Sequence, residues 1–188
     1  MRLILAACAA MASSPALAWT LDGSVSSISY VSTKNGDTAE ANLFSAMSGE
    51  VAEDGAASIE IYLASIETFI DIRNQRVRDL LFKVADYPMA KISAVIDLDV
   101  FQGLEAGMTT ETVFDVIIDA HGSSAGYEAA AYVTRASNDR VIVSSKMPVI
   151  VYASDLGYTD GLAELQEIAG LDSIQEAVPV TFNLAFGR

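Results

Sequence analysis

Histidine occurs once in this sequence, as His121, and cysteine once, as Cys8. These two scarcities exclude much chemistry. A zinc site wants more nitrogen or sulfur ligands than a single histidine supplies. A Ser-His-Asp triad would have to use His121, and no G-x-S-x-G turn is present to carry its serine. Neither a Walker A loop nor a G-x-G-x-x-G turn occurs. No later segment approaches the roughly twenty consecutive apolar residues that a bilayer-spanning helix needs. Positive charge is also sparse. Eleven Lys and Arg face 25 Asp and Glu, for a net charge of −14. Such a surface keeps a protein soluble and repels nucleic acid and anionic membrane faces.

What is abundant is apolar material, 52% of 188 residues, enough for one domain with a substantial core. The first eighteen residues read as an export signal: Arg2, an apolar stretch from Leu3 to Ala12, and the A-x-A site Ala16-Leu17-Ala18. Cleavage after Ala18 leaves a domain at 19–188, starting with Trp19. Leu5-Ala6-Ala7-Cys8 resembles a lipoprotein box, but the seven residues before Cys8 are too few for a signal, and cleavage after Ala18 is the preferred reading. The exported chain then has no cysteine, and so no disulfide, thiol nucleophile or thiolate metal site.

Much of the chain alternates with period two, the mark of half-buried strands. Ile59, Ile61 and Leu63 share a face. Ile92, Ala94, Ile96, Leu98 and Val100 form a longer apolar row, opposed by Lys91, Ser93, Asp97 and Asp99. Thr112, Phe114, Val116, Ile118 and Ala120 form another, with Asp115 and Asp119 on the reverse. Further rows run through Tyr127–Val133, Val141–Met147 and Val180–Phe186. Turn signals at Asn35-Gly36, Asp54-Gly55, Gln102-Gly103, His121-Gly122 and Asn138-Asp139 separate them. Two stretches switch to helical spacing, Asn74 to Ala85 and Gly161 to Ala169. The expected fold is all-β, an antiparallel up-and-down barrel of about eight strands with one or two short helices. A barrel of that size is just wide enough for one small ligand. The acidic faces turn to water, so the apolar rows point inward. Ala94, Ala120, Ala129 and Ala131 on those rows favour some interior space.

Arg73, Arg76, Arg78 and Lys83 crowd into eleven residues of an otherwise acidic chain. Guanidinium groups suit bidentate phosphate contact, which makes the cluster a headgroup candidate. The plainer alternative is a solvated helix pairing with Asp71, Asp79 and Asp86. Asp97 and Asp99 read as a solvated acidic edge, and His121 as a turn or rim histidine.

The segment S-I-E-T-F-I-D-I-R-N-Q-R-V-R-D-L-L-F-K-V-A-D-Y-P, from Ser65 to Pro88, resembles the YceI-like, polyisoprenoid-binding family. Ser65, Glu67, Thr68, Arg73, Phe82, Tyr87 and Pro88 carry the likeness. The opening W-T-L-D, then S-S-I-S-Y, Gly36, Phe44 and Gly49 follow the family's first hairpin, and Val178 to Phe186 its last strand. The resemblance implies a lipocalin-like, extended periplasmic barrel whose apolar tunnel holds an isoprenoid or other long alkyl lipid. It implies carriage or storage, not catalysis. The sequence departs from the pattern at Lys34, where many members have histidine, and at Asn42, where many have glycine. Asp155 to Gln175 looks like an insertion.

The expected lining is Tyr30, Phe44, Ile61, Leu63, Phe69, Leu81, Phe82, Tyr87, Ile92, Ile96, Phe114 and Ile118. Arg73, Arg76 and Lys34 are the headgroup candidates. The expected ligand is an apolar lipid, an isoprenoid quinone or a polyprenyl phosphate fitting equally well. No further cofactor, metal or nucleic acid is expected, and a homodimer is compatible with the sequence. The rival readings are an envelope interaction protein with a packed barrel and no ligand, and an enzyme built on His121 and Asp119.

Overall fold

The computed structural model describes residues 17–188. Residues 1–16, with Cys8 and most of the expected export signal, lie outside them. The expected cleavage point after Ala18 falls within the first strand.

Twelve strand segments make the sheet: β1 (Leu17–Leu21), β2 (Ser27–Lys34), β3 (Thr38–Phe44), β4 (Met47–Ala52), β5 (Ala56–Tyr62), β6 (Ile66–Glu67), β7 (Met89–Val95), β8 (Thr109–Ala120), β9 (Ser123–Ser137), β10 (Arg140–Ser145), β11 (Val149–Tyr152) and β12 (Ala177–Gly187). β1 and β2 follow one another along one side of β12, and β10 and β11 along the other. β3 runs on into β4, and β5 into β6, with the same partners in sequence. The segments thus form a closed antiparallel barrel of eight long, bent strands. It closes where Gly187 and Phe186 of β12 pair with Thr20 and Leu21 of β1. Closure removes the sheet edges that would otherwise recruit other chains.

Alternation positions the interior as the sequence leads one to expect. Along β8, Thr112, Phe114, Val116, Ile118 and Ala120 turn inward while Asp115 and Asp119 are exposed. A one-residue slip in register would invert all of them, so the acid–apolar pattern fixes the pairing. The β8–β9 turn is the two-residue loop His121-Gly122, both left-handed, at φ 50° and 79°. That conformation suits the right-handed twist of a hairpin, and histidine is among the residues that tolerate it.

The row expected to run from Ile92 to Val100 is shorter. β7 ends at Val95, and Asp99–Gln102 is a helical turn, α2. Two local interactions stop the strand. Ile96 donates its N–H to the Gly55 carbonyl at 2.8 Å, and the Asp97 carboxylate accepts the Asp99 N–H at 3.1 Å. Aspartate offers its backbone this alternative to a ladder.

Helices cover one end. Between β6 and β7 lie α1 (Asp71–Arg76) and a wider π-turn, Val77–Leu81. The helical spacing read from Asn74 to Ala85 therefore starts earlier and ends sooner. Between β11 and β12 lie a single turn, Ser154–Leu156, and α3 (Thr159–Ala169), ended by left-handed Gly170 at φ 62°. α3 docks on the π-turn through Gly161. A Cβ there would come within 2.5 Å of the Leu80 carbonyl oxygen and 2.8 Å of the Leu81 Cα. Among the described residues, no helix is long and apolar enough to cross a membrane.

Candidate functional site

The barrel interior is hollow in two places, with cavities of about 170 and 460 Å³. They adjoin across a waist of aliphatic side chains, Ile28, Ile92, Ile118, Val151 and Val180, which line both. The larger alone falls within the roughly 300–1,000 Å³ of small-molecule sites. Of the four interior alanines, Ala94 and Ala129 open onto the smaller cavity and Ala120 onto the larger. Ala131 is buried and lines neither.

The smaller cavity is almost wholly apolar. Phe101, Phe114, Val116, Val133, Val143 and Phe182 are among the side chains of its wall. Trp19 closes its far end, with the guanidinium of Arg188 over the indole at 4.4 Å and that of Arg135 at 5.5 Å.

The larger cavity runs from the waist to the helical end. Tyr30, Phe44 and Phe82 form an aromatic series along it, with ring centroids 5.9 and 5.7 Å apart. Tyr158 continues the series at 5.5 Å. Burial raises the Tyr30 and Tyr158 hydroxyls far above the usual phenol range, so both stay neutral beside the cavity. Leu162, Leu165, Ala169 and Leu171 of the second helical insertion complete the wall.

At the mouth the wall turns polar. Arg73 donates to Glu40 at 2.5 Å and to the Thr68 carbonyl at 2.5 Å. Lys34 donates to the other Glu40 oxygen at 3.1 Å. The Arg73 hydrogen bond, against a smaller opposing effect of burial and with help from Lys34, holds the Glu40 carboxyl below its ordinary range. Arg76 also lines the mouth and makes no ion pair among the described residues. Three cations and two carboxylates, Glu40 and Glu176, therefore border the opening. The expected pairing of the basic helix with Asp71, Asp79 and Asp86 does not form. Arg73 finds its partner on β3 instead.

The motif around Ser65 builds this corner. Asn74 Oδ1 accepts from the Thr68 N–H at 2.7 Å and from its hydroxyl at 2.6 Å. Asn74 Nδ2 donates to Glu67 at 3.0 Å, and Glu67 in turn accepts the Phe69 N–H at 2.5 Å. The Asn74 hydrogen bond contributes most to keeping the Glu67 carboxyl below its ordinary range. Ser65 Oγ accepts the Ala46 N–H at 3.1 Å. Thr68 and Asn74 are fully buried. Most of the motif is thus a scaffold that aims Arg73 at the opening.

Ten of the twelve expected lining residues border a cavity: Tyr30, Phe44, Ile61, Leu63, Leu81, Phe82, Ile92, Ile96, Phe114 and Ile118. Arg73, Arg76 and Lys34 all border the larger one. Phe69 and Tyr87 border neither. Phe69 sits in a left-handed conformation that turns its ring to solvent. Tyr87 packs outside the barrel on His121, 4.4 Å between centroids. His121 lies between that ring and Tyr158, 5.2 Å away, and its Nε2 is buried with no hydrogen-bond partner. Sequence reasoning missed Ser32 and Asn42 as polar lining. It also missed Tyr158, Leu162, Leu165 and Leu171. Asn42 donates to Ser32 Oγ at 3.0 Å and to the Glu40 carbonyl at 3.1 Å, and so braces the mouth. The helical spacing of Leu162 and Leu165 was the available signal for the second insertion.

Comparison with known proteins places this geometry. The YceI-like domain matches residues 19–186. A polyisoprenoid-binding domain from Saccharophagus degradans implicated in plant cell wall breakdown is similar at 33% identity with a TM-score of 0.88. The match covers 91% of this chain and 98% of that one. BcnA of Burkholderia cenocepacia shares the fold at 20% identity and a TM-score of 0.64, covering 88% of this chain and 98% of that one. No curated protein matches the sequence.

Proposed function

This chain belongs to the YceI-like family, and from that premise we propose that it is a periplasmic carrier holding an isoprenoid-type or other long-chain lipid in its barrel. The observation that carries the reading is the pair of adjoining apolar cavities. A flexible hydrocarbon passing the waist would lie against Ile28, Ile92, Ile118, Val151 and Val180. Each buried CH₂ contributes about 0.8 kcal/mol, so a long tail needs few polar contacts. The similar Saccharophagus degradans domain, named for polyisoprenoid binding, supports the same ligand class.

The polar mouth suits the other end of such a molecule. Arg76 is the cation there without a carboxylate partner among the described residues, and Arg73 and Lys34 share one. A phosphate or a quinone ring would meet Arg76, Arg73, Lys34 and the Tyr30 hydroxyl. Export rests on the signal at residues 1–18, with cleavage after Ala18 leaving the domain at 19–188.

The role is binding rather than turnover. His121 sits in a hairpin turn between two tyrosine rings, and Asp119 faces solvent. Extraction of the purified protein with organic solvent, followed by mass spectrometry, tests the carrier reading. Release of a stoichiometric long-chain lipid is expected. A protein recovered from its host with no extractable lipid contradicts it and favours an envelope interaction protein without a ligand.

A further inference from the structure

The corner between β6 and α1 displays three large apolar side chains to solvent: Phe69 is 71% exposed, Ile70 47% and Ile72 55%. Two of them, Ile70 and Ile72, also line the larger cavity. The exposed patch is therefore continuous with the tunnel wall. A hydrocarbon leaving the barrel here would pass over apolar side chains.

The patch is held in place rather than loosely exposed. Phe69 adopts φ 63°, a left-handed conformation costly for a bulky side chain. Neighbouring hydrogen bonds hold it there. Its own N–H goes to Glu67, the preceding Thr68 is fixed twice by Asn74, and the Thr68 carbonyl is gripped by Arg73. A buried network thus maintains a strained turn whose visible result is an aromatic ring in water.

The charge around the patch departs from the rest of the chain. Between residues 67 and 86 cations and carboxylates balance four to four, in a protein of net charge −14. Arg76, Arg78 and Lys83 make no ion pair among the described residues. Apolar and aromatic side chains with Arg73 and Arg76 close by, alongside Glu67 and Asp71, fit the boundary of a zwitterionic bilayer, where rings sit at headgroup level and guanidinium groups meet phosphate.

We propose that Phe69, Ile70 and Ile72 form a membrane-docking tip that seats the tunnel mouth on a phospholipid leaflet, so that lipid passes between bilayer and barrel without crossing water. The proposal rests on the carrier reading and adds the partner at its open end.

Co-sedimentation with phosphatidylcholine vesicles tests it. The Phe69→Gly variant removes the ring and relieves the left-handed backbone, so its fold survives, which thermal unfolding verifies. Ile72→Ser is the second tip variant. Val113→Ser, at a position 59% exposed on β8, is the matched control. The wild type and Val113→Ser are expected to partition onto vesicles alike. Phe69→Gly and Ile72→Ser are each expected to bind on the order of tenfold more weakly. Equal sedimentation of wild type and tip variants overturns the proposal, as does absence of wild-type binding. So does a wild-type dimer in sedimentation velocity that the tip variants disperse, which would make the patch an interface between copies. Sedimentation needs no filled tunnel. Tip variants that retain their lipid but lose vesicle binding support the docking role. Lipid missing from every variant with docking intact counts against the carrier reading alone.

Discussion

Gly161 of α3 rests on the Leu80 carbonyl so closely that an added Cβ would sit 2.5 Å from the oxygen. This contact joins two insertions that enter the barrel from different parts of the chain, one after β6 and the other after β11. Together they wall the helical end of the larger cavity and frame its mouth. Substituting Gly161→Ala is expected to force the helices apart at a cost of about 1–3 kcal/mol. The thermal midpoint should fall, and amide exchange in α3 should rise faster than in β8 and β9. Unchanged exchange in α3 would show that the two insertions do not depend on each other.

The ion pairs at Glu40 give stability a specific acid dependence. Folding lowers its carboxyl from the ordinary value of 4.5, chiefly through Arg73. The native state therefore binds fewer protons there than the unfolded chain. The contribution is complete above the ordinary carboxylate range and disappears as pH falls through the lowered native value. Glu40→Gln is expected to cost about 1–3 kcal/mol at neutral pH and to flatten the stability profile below pH about 4.5. Denaturant titrations of both proteins at several pH values measure this, and parallel acid profiles would contradict it.

Asn74 satisfies a buried backbone donor, the Thr68 N–H, at 2.7 Å. Asn74→Ala leaves the Thr68 N–H without its acceptor and the hydroxyl with the Ile70 carbonyl at 3.3 Å alone, with an expected loss of about 1–3 kcal/mol. Exchange of the Thr68 and Phe69 amides should accelerate locally, because the left-handed turn at Phe69 depends on the same network. If only the global stability falls and these two amides keep their relative protection, Asn74 does not organise the corner.

A bulky side chain at the waist separates the two cavities. Val180 lines both, and Val180→Trp places an indole between them. The barrel is expected to fold with a change within about 1–3 kcal/mol, since the ring enters existing space. Binding of long-chain lipids should weaken much more than that of short ones, which fit within the larger cavity alone. Competition against a fluorescent fatty-acid probe, with ligands of graded length, measures the difference. Equal loss at every length would mean that chains do not cross the waist.

Alternation made the barrel wall legible because Glu111, Asp115 and Asp119 mark the outer face of β8, so that only one register buries Phe114 and Ile118 while the acids stay in water. The same rule overran the end of β7. Leu98 and Val100 keep the period, but the side chain of Asp97 and the carbonyl of Gly55 divert the backbone there. Phe69 was misplaced for a related reason. Its apolar character is visible in the sequence, while its left-handed backbone arises from Glu67, Thr68, Arg73 and Asn74 acting together. The Arg73–Glu40 pair joins residues on different elements, so the nearer acids Asp71, Asp79 and Asp86 were the visible partners. Tyr158 and Leu162 reach the cavity only because Gly161 lets α3 approach, a contact encoded in one small residue facing another segment.

Native mass spectrometry of the protein purified from its own host decides whether the barrel carries a lipid. A mass increment matching one long-chain apolar lipid, released by organic solvent, is expected, with loss of that increment in Val180→Trp. A wild-type protein flying at its polypeptide mass alone, with no lipid recovered from the solvent phase, would contradict it.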